Sequence, residues 1–297
     1  MKILLFGKNG QVGWELQRAL APLGELIALT TNSTELKADF ADPESLAATV
    51  RAVAPQWIVN AAAYTAVDKA ESEPDLARRI NAVAPGVLAR EAAAIGAGLV
   101  HYSTDYVFDG SGNEPWVEDD ETGPLGVYGA TKLEGEVLIR DSSCQHLILR
   151  TSWVYAARGS NFAKTMLKLA QERDALRIVD DQIGAPTGAE LLADVTAHAL
   201  RSASRRPELC GTYQVAAAGN TSWHQYAQHV IEQARSKGRP IRVAHDAIAA
   251  VPTHAFPTLA RRPGNSRLDT RKLQDAFDLR LPAWQIGVDR MLTEVLG

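Results

Sequence analysis

The chain has 297 residues, 46% hydrophobic and 22% charged, a balance that excludes a disordered or fibrous protein. A formal net charge of -4 argues against a nucleic-acid-binding domain, which is usually basic. Two cysteines, Cys144 and Cys210, cannot form a disulfide framework and suit a reducing cytoplasm, and no apolar run approaches the ~20 residues of a membrane span.

In chain order, Ile3 to Phe6 is a continuous apolar run, the pattern of a strand buried on both faces. Gly7 to Gly13 follows as a turn, and Trp14, Leu16, Leu20 and Leu23 then recur at helical spacing. Leu26 to Leu29 is the next strand. Asp42-Pro43 starts a helix, with aspartate capping the free amides and proline at the first helical position. Pro55 ends it before the strand Trp57 to Val59. A helical stretch runs from Pro74 towards Ile95 through an awkward Pro85. Leu99 to Tyr102 reads as strand, Tyr128 to Ile139 as helix and Leu147 to Leu149 as strand. This alternation predicts an α/β fold, a doubly wound parallel sheet with helices on both faces. After Thr151 the regularity fades, with helices at 161–172, 188–203 and 222–236 between loops rich in proline and glycine.

Gly7, Gly10 and Gly13 form a G-x-x-G-x-x-G turn between the first strand and the first helix. Glycine lets the backbone approach a pyrophosphate, and the helix N-terminus offers unpaired amides to it. This is the nucleotide end of a Rossmann-type domain. Residues 1–152 are therefore read as the NAD(P)-binding domain, and 153–297 as a smaller, mainly substrate-binding part with some segments returning to the sheet. The end of the second strand, where a carboxylate would grip the ribose of NAD, holds Thr30-Thr31-Asn32-Ser33. That favours NADPH, with NADH as the alternative.

Tyr128 and Lys132 stand four residues apart, on one face of a helix. A neighbouring ammonium stabilises a phenolate, so the pair is suited to delivering a proton to a carbonyl oxygen. Ser103-Thr104-Asp105 lies at the carboxyl end of a strand, where ligands of such sheets bind.

Together these features resemble the extended short-chain dehydrogenase/reductases. The blocks Gly7 to Gly13, Val59 to Thr65, Ser103 to Phe108, Val127 to Lys132, Arg150 to Tyr155, Gly184 to Thr187 and Arg261 to Arg267 look more closely like the dTDP-4-dehydrorhamnose reductases. The resemblance implies reduction of the C4 keto group of dTDP-4-dehydro-L-rhamnose, the last step of dTDP-L-rhamnose synthesis. The product's usual destination is a bacterial cell-envelope polysaccharide, such as the lipopolysaccharide O-antigen. By matching position, Tyr128 is the proton donor, Lys132 lowers its pKa and holds the ribose, and Thr104 binds the keto oxygen. Gly10, Gln11 and Val12 would lie at the pyrophosphate, Asp39 and Phe40 near the adenine, and Ala63, Tyr64 and Thr65 along the cofactor. Asp105 and Trp153 would face the sugar nucleotide. The pattern departs at Thr30, where the family carries an acid. The resemblance also implies Mg²⁺ at a contact of a homodimer, through Glu15, Glu190 and Glu294; exposed helical glutamates are the plain alternative.

Two other readings stay open. One is another nucleotide-sugar reductase, epimerase or dehydratase; elimination would want more acids beside the strand-end hydroxyl than Asp105. The other is a non-catalytic, NADP-binding regulatory subunit, which would be free to lose Thr104, Tyr128 or Lys132. Arg261, Arg262 and Arg267 suit a pyrophosphate or a solvated loop equally. The seven histidines show no zinc spacing.

Overall fold

A computed structural model describes residues 1–297. The first half contains β1 (Lys2–Phe6), α1 (Gln11–Leu20), β2 (Glu25–Leu29), α2 (Pro43–Val53), β3 (Trp57–Asn60), α3 (Val67–Ala70), α4 (Pro74–Arg78), α5 (Ala84–Ile95), β4 (Gly98–Thr104), α6 (Val127–Asp141) and β5 (Gln145–Thr151). The second half adds β6 (Val154–Tyr155), α7 (Phe162–Glu172), β7 (Leu176–Val179), β8 (Ile183–Gly184), β9 (Thr187–Gly188), α8 (Ala189–Ala203), β10 (Gly211–Gln214), β11 (Thr221–Ser222), α9 (Trp223–Ser236), β12 (Ile248–Val251), α10 (Arg271–Phe277) and α11 (Trp284–Leu296).

Six strands form one sheet in the order β10-β5-β4-β3-β1-β2, every neighbouring pair parallel. The order reverses between β1 and β3, so the crevice at their carboxyl ends is the switch point where ligands of such sheets bind. Strand alternation sorts the core into two layers. Ile3, Leu5, Val59, Val100 and Leu147 pack with Leu16 and Leu20 of α1 and Leu192 of α8. Leu4, Phe6, Ile58, Leu99 and Ile148 pack with Val50 of α2, Leu88 of α5 and Ile139 of α6. A third cluster lies outside the sheet, where Met166 and Leu167 of α7 meet Tyr226 and Val230 of α9 and Trp284 and Val288 of α11.

The stretch around Pro85 is helical throughout, but Arg79–Val83 between α4 and α5 winds as π-helix. Proline lacks the N–H that an α-helix needs there, and the wider turn absorbs the loss. The same turn carries Asn81, whose amide accepts from the Tyr64 N–H at 2.8 Å and reaches Thr131 of α6 at 3.3 Å. At Gly135 a Cβ would stand 2.3 Å from the Asn81 carbonyl oxygen. The cofactor-side loop and α6 are thus locked together through one turn.

Candidate active site

A cleft of about 570 Å³ opens at the carboxyl ends of β1, β3, β4 and β5. Gly10, Gln11, Val12, Ala63 and Thr65 line its first wall; Thr104, Asp105, Tyr128 and Lys132 form its floor; Trp153 closes the far side. The remaining nominated residues lie elsewhere. Gly7 and Gly13 build the turn beneath the wall. Phe40 is buried against Phe6, with ring centroids 5.6 Å apart. Asp39 Oδ1 accepts the Ala41 N–H at 2.9 Å. The Tyr64 hydroxyl donates to Glu73 at 2.6 Å.

The glycine turn fits a pyrophosphate. Gly7 has φ of 84° and a Cβ there would lie 2.7 Å from Ala61 and Ala62 backbone atoms. One on Gly13 would lie 2.0 Å from the Gly7 carbonyl oxygen. Gly10 caps α1 without any side-chain bond, leaving the first amides of the helix to face the cleft. At the end of β2, Thr30 is tied by its N–H to Ser33 Oγ at 3.0 Å and by its hydroxyl to Asn9 at 3.3 Å.

On the floor, Thr104 ends β4 and Tyr128 opens α6, and both side chains line the cleft. Burial pushes the Tyr128 phenol up to about 12, against the pull of the nearby Thr104 hydroxyl, and the Asp105 charge adds to the rise. This corrects the expectation of a lowered tyrosine. Lys132 does not pair with the phenol: its Nζ donates to the Tyr102 carbonyl at 2.6 Å and lies 3.1 Å from His101 Nε2. Burial lowers Lys132 to about 8, opposed by Glu136. Glu136 forms a buried pair with Arg150 at 2.7 Å. Asp105 is also buried; it accepts from Thr104 at 3.0 Å, and its Oδ2 has no partner. Burial pushes its carboxyl up to about 6, against the pull of the nearby Ser266 and Thr104 hydroxyls.

Trp153 sits at φ of 49° with its ring stacked on Trp223, centroids 3.6 Å apart. A Cβ at Gly184 would collide with the indole at 2.7 Å, so glycine gives the ring its seat. Sequence reasoning missed Arg158 and Trp223 in the cleft wall, as well as His101 behind Lys132. His101 was findable: two positions before Ser103 in a strand, it faces the same side. The basic cluster divides. Arg262 pairs with Asp68 at 2.8 Å and Arg267 donates to the Asn113 carbonyl at 3.1 Å, both tying down loops. Arg261 borders a small pocket beside Tyr106 and Tyr128.

The helices α1, α8 and α11 bring Glu15, Glu190 and Glu294 near one another. Burial and then, beyond the opposing Arg290, the fields of Glu15 and Glu294 raise the Glu190 carboxyl. Within the single chain, however, no three carboxylates, histidines or cysteines come close enough to hold an ion. The donors of one chain do not fit Mg²⁺ by themselves.

A family model described as RmlD substrate binding domain matches residues 1–296. The dTDP-4-dehydrorhamnose reductase of Escherichia coli K12 is 59% identical over 295 residues, covering 99% of this chain and 98% of that protein. The enzyme of that name from Burkholderia thailandensis is 46% identical over the whole of both chains. Among solved structures, the Clostridium acetobutylicum dTDP-4-dehydrorhamnose reductase superposes with a TM-score of 0.89 at 34% identity, covering 100% of each chain. The Bacillus anthracis reductase, described in complex with NADP, does so with 0.87 at 33% identity, covering 99% of this chain and 100% of that one. A Thermus thermophilus UDP-glucose 4-epimerase, 20% identical with a TM-score of 0.81, shares the fold. With its glycine turn, its Thr104–Tyr128 floor and full-length similarity to these reductases, the chain belongs to the RmlD family, that of the dTDP-4-dehydrorhamnose reductases.

Proposed function

We propose that this protein reduces the C4 keto group of dTDP-4-dehydro-L-rhamnose to give dTDP-L-rhamnose, with NADPH as the preferred reductant. The observation that carries this reading is the gathering of Thr104, Tyr128 and Lys132 on the cleft floor, facing the glycine turn across a space of small-molecule size. When bound, NADPH supplies hydride to the carbonyl carbon. The chain's own groups do the rest. The Tyr128 phenol would donate to the keto oxygen, and the Thr104 hydroxyl would join it by turning from Asp105 Oδ1, to which it donates in the ligand-free chain. Charge growing on that oxygen draws the proton from Tyr128 Oη. A phenol raised to about 12 arrives fully protonated at neutral pH, as a donor must. Lys132 and the amides of Gln11 and Val12 hold the cofactor; Asp105 and Trp153 hold the sugar. The absence of a carboxylate at Thr30 and the NADP complex of the Bacillus anthracis relative support NADPH over NADH.

Tyr128→Phe tests the assignment. It should lower kcat by about 10²–10⁴-fold, the usual worth of a general acid, while NADPH affinity stays within a few-fold. Unchanged turnover would remove Tyr128 from the role.

Mg²⁺ and the homodimer belong to this reading together. Glu15, Glu190 and Glu294 would be ligands shared between two copies, since one chain does not close on a cation. Sedimentation with Mg²⁺ and with EDTA tests it. A dimer lost on chelation, and lost in Glu190→Gln with Mg²⁺ present, is the expected result; a mass unaffected by either change would refute it.

A further inference from the structure

Behind the cleft floor, Asn60 of β3, His101 of β4 and Lys132 of α6 form a chain of polar groups, all fully buried. Their donors and acceptors can be assigned from the contacts. Asn60 Oδ1 accepts the Ala62 N–H at 3.0 Å. Its Nδ2 therefore faces His101 Nδ1, also at 3.0 Å. An amide nitrogen donates only, so Nδ1 carries no proton. A neutral imidazole then has its proton on Nε2. The doubly protonated form is closed off, because it would set two donors against each other at Nδ1.

That Nε2–H points at Lys132 Nζ, 3.1 Å away. An ammonium has three donors and no acceptor; an amine has a lone pair. Every contact is satisfied when Lys132 is the amine, accepting from His101 and donating to the Tyr102 carbonyl at 2.6 Å. With an ammonium, His101 must carry its proton on Nδ1 instead. Asn60 must then turn its amide and give up the bond to Ala62. The balance is one proton gained at Nζ from solvent, while His101 keeps a single proton and changes which nitrogen holds it.

We propose that Asn60 and His101 are positioning residues that set the protonation equilibrium of Lys132, their pairing favouring the neutral amine and rearranging when it takes up a proton. The surroundings agree. On α6, Tyr128 stands one turn before Lys132 and Glu136 one turn after. Glu136 favours the ammonium, but from β5 Arg150 already neutralises it through two bonds at 2.9 and 2.7 Å. β4 contributes His101, the Tyr102 carbonyl and, at its end, Asp105, which pairs with Thr104. β3 contributes no charge, only Asn60. Burial keeps His101 well below the ordinary histidine range, and the Lys132 charge adds to this once the ammonium forms, so His101 stays neutral in both states.

The family resemblance implies that the Lys132 charge helps Tyr128 release its proton during the proposed reduction. The relay then fixes the alkaline limit of turnover; this consequence rests on that reading, whereas the relay itself does not.

The test is made on the ligand-free full chain by NMR, with ¹³Cε-lysine and ¹⁵N-histidine labels and Lys132→Met for assignment. In the wild type, Lys132 should titrate near 8, well below the other lysines. Above that midpoint His101 should be the Nε2–H tautomer, and below it Nδ1–H. Asn60→Asp offers acceptors to both Ala62 and His101 Nδ1–H, so Nε2 can accept from an ammonium. It should raise the Lys132 midpoint by about one pH unit or more. Three results would each overturn the relay: an Nδ1–H tautomer above the midpoint, a tautomer unchanged through the lysine titration, or a Lys132 midpoint unmoved in a folded Asn60→Asp. Should that variant not fold, the wild-type tautomer titration decides alone. If the midpoint moves and the alkaline limb of kcat/KM does not follow, the relay stands and it is the part given to Lys132 in the reaction that fails.

Discussion

Asp105 shows how a single side chain at the site can weaken the fold. Its carboxyl is buried with Oδ2 unpartnered and its pKa is raised to about 6. Between the ordinary aspartate value near 4 and about 6, the folded chain holds a proton that the unfolded chain has lost. Stability therefore falls as pH rises through that window, and the whole cost is present above it. Asp105→Asn removes the cost and keeps an acceptor for Thr104. We expect it to stabilise the protein at pH 7 by roughly 2–3 kcal/mol. Denaturant melts at pH 7 and pH 4 check this: the gap from wild type should close at the lower pH, and an equal gap at both would contradict the burial argument. If Asp105 holds the sugar, the same variant raises KM for the sugar nucleotide. At this scale Tyr128, Lys132 and Thr104 were legible, because helix spacing and strand-end position are local properties of the sequence. The direction of the tyrosine's shift was not, since it depends on how deeply α6 and β4 bury it. Arg158 stood in no motif and acquires its surroundings only through the turn after β6, whereas His101 was open to its strand spacing from Ser103.

Among the elements, α1 and α6 position the site. The glycine turn lets α1 begin directly under the cleft. Gly13→Ala would drive a Cβ to 2.0 Å from the Gly7 carbonyl oxygen, against backbone that cannot yield cheaply. We predict a loss of about 1–3 kcal/mol of stability and at least about tenfold weaker NADPH binding; calorimetric titration with a wild-type-like Kd would contradict it. Helix α6 is anchored at its middle by the Glu136–Arg150 pair, with side chains 0% and 3% exposed. Glu136→Gln leaves the guanidinium buried without its counter-charge. The expected cost is about 3–5 kcal/mol by urea unfolding, and a change below 1 would mean the pair is not what seats the helix. The alternation of strands and helices was readable in the sequence for most of these elements. The Asp42 cap accepts the Ser45 N–H as the Asp42-Pro43 signal implied. The π-turn before Pro85 was not readable, because what selects it over a break is the Gly135 face of α6, distant in sequence.

The whole molecule joins a two-layered sheet core to a third cluster built by α7, α9 and α11, and the cleft lies where they meet. Trp153 belongs to both sides: it follows β5 of the sheet and stacks on Trp223 of α9. Removing Trp223 should loosen the sugar side without touching the cofactor side. Trp223→Ala is therefore expected to raise KM for the sugar nucleotide several-fold while NADPH affinity holds, and a matched loss of both would contradict that division. The first half's fold was legible because parallel strands buried on both faces are continuous apolar runs. In the second half α7, α8 and α9 were legible, but their pairing with short strands such as β8–β11 and β7–β12 was not, since those contacts are made across long stretches of chain.

The most direct test of the account follows NADPH oxidation by nicotinamide absorbance, with dTDP-4-dehydro-L-rhamnose generated in place from dTDP-glucose. Parallel runs use NADH. The account predicts rapid, substrate-dependent loss of NADPH, slower loss of NADH, and dTDP-L-rhamnose as product. NADPH that binds but is not consumed when the keto sugar is present would contradict it.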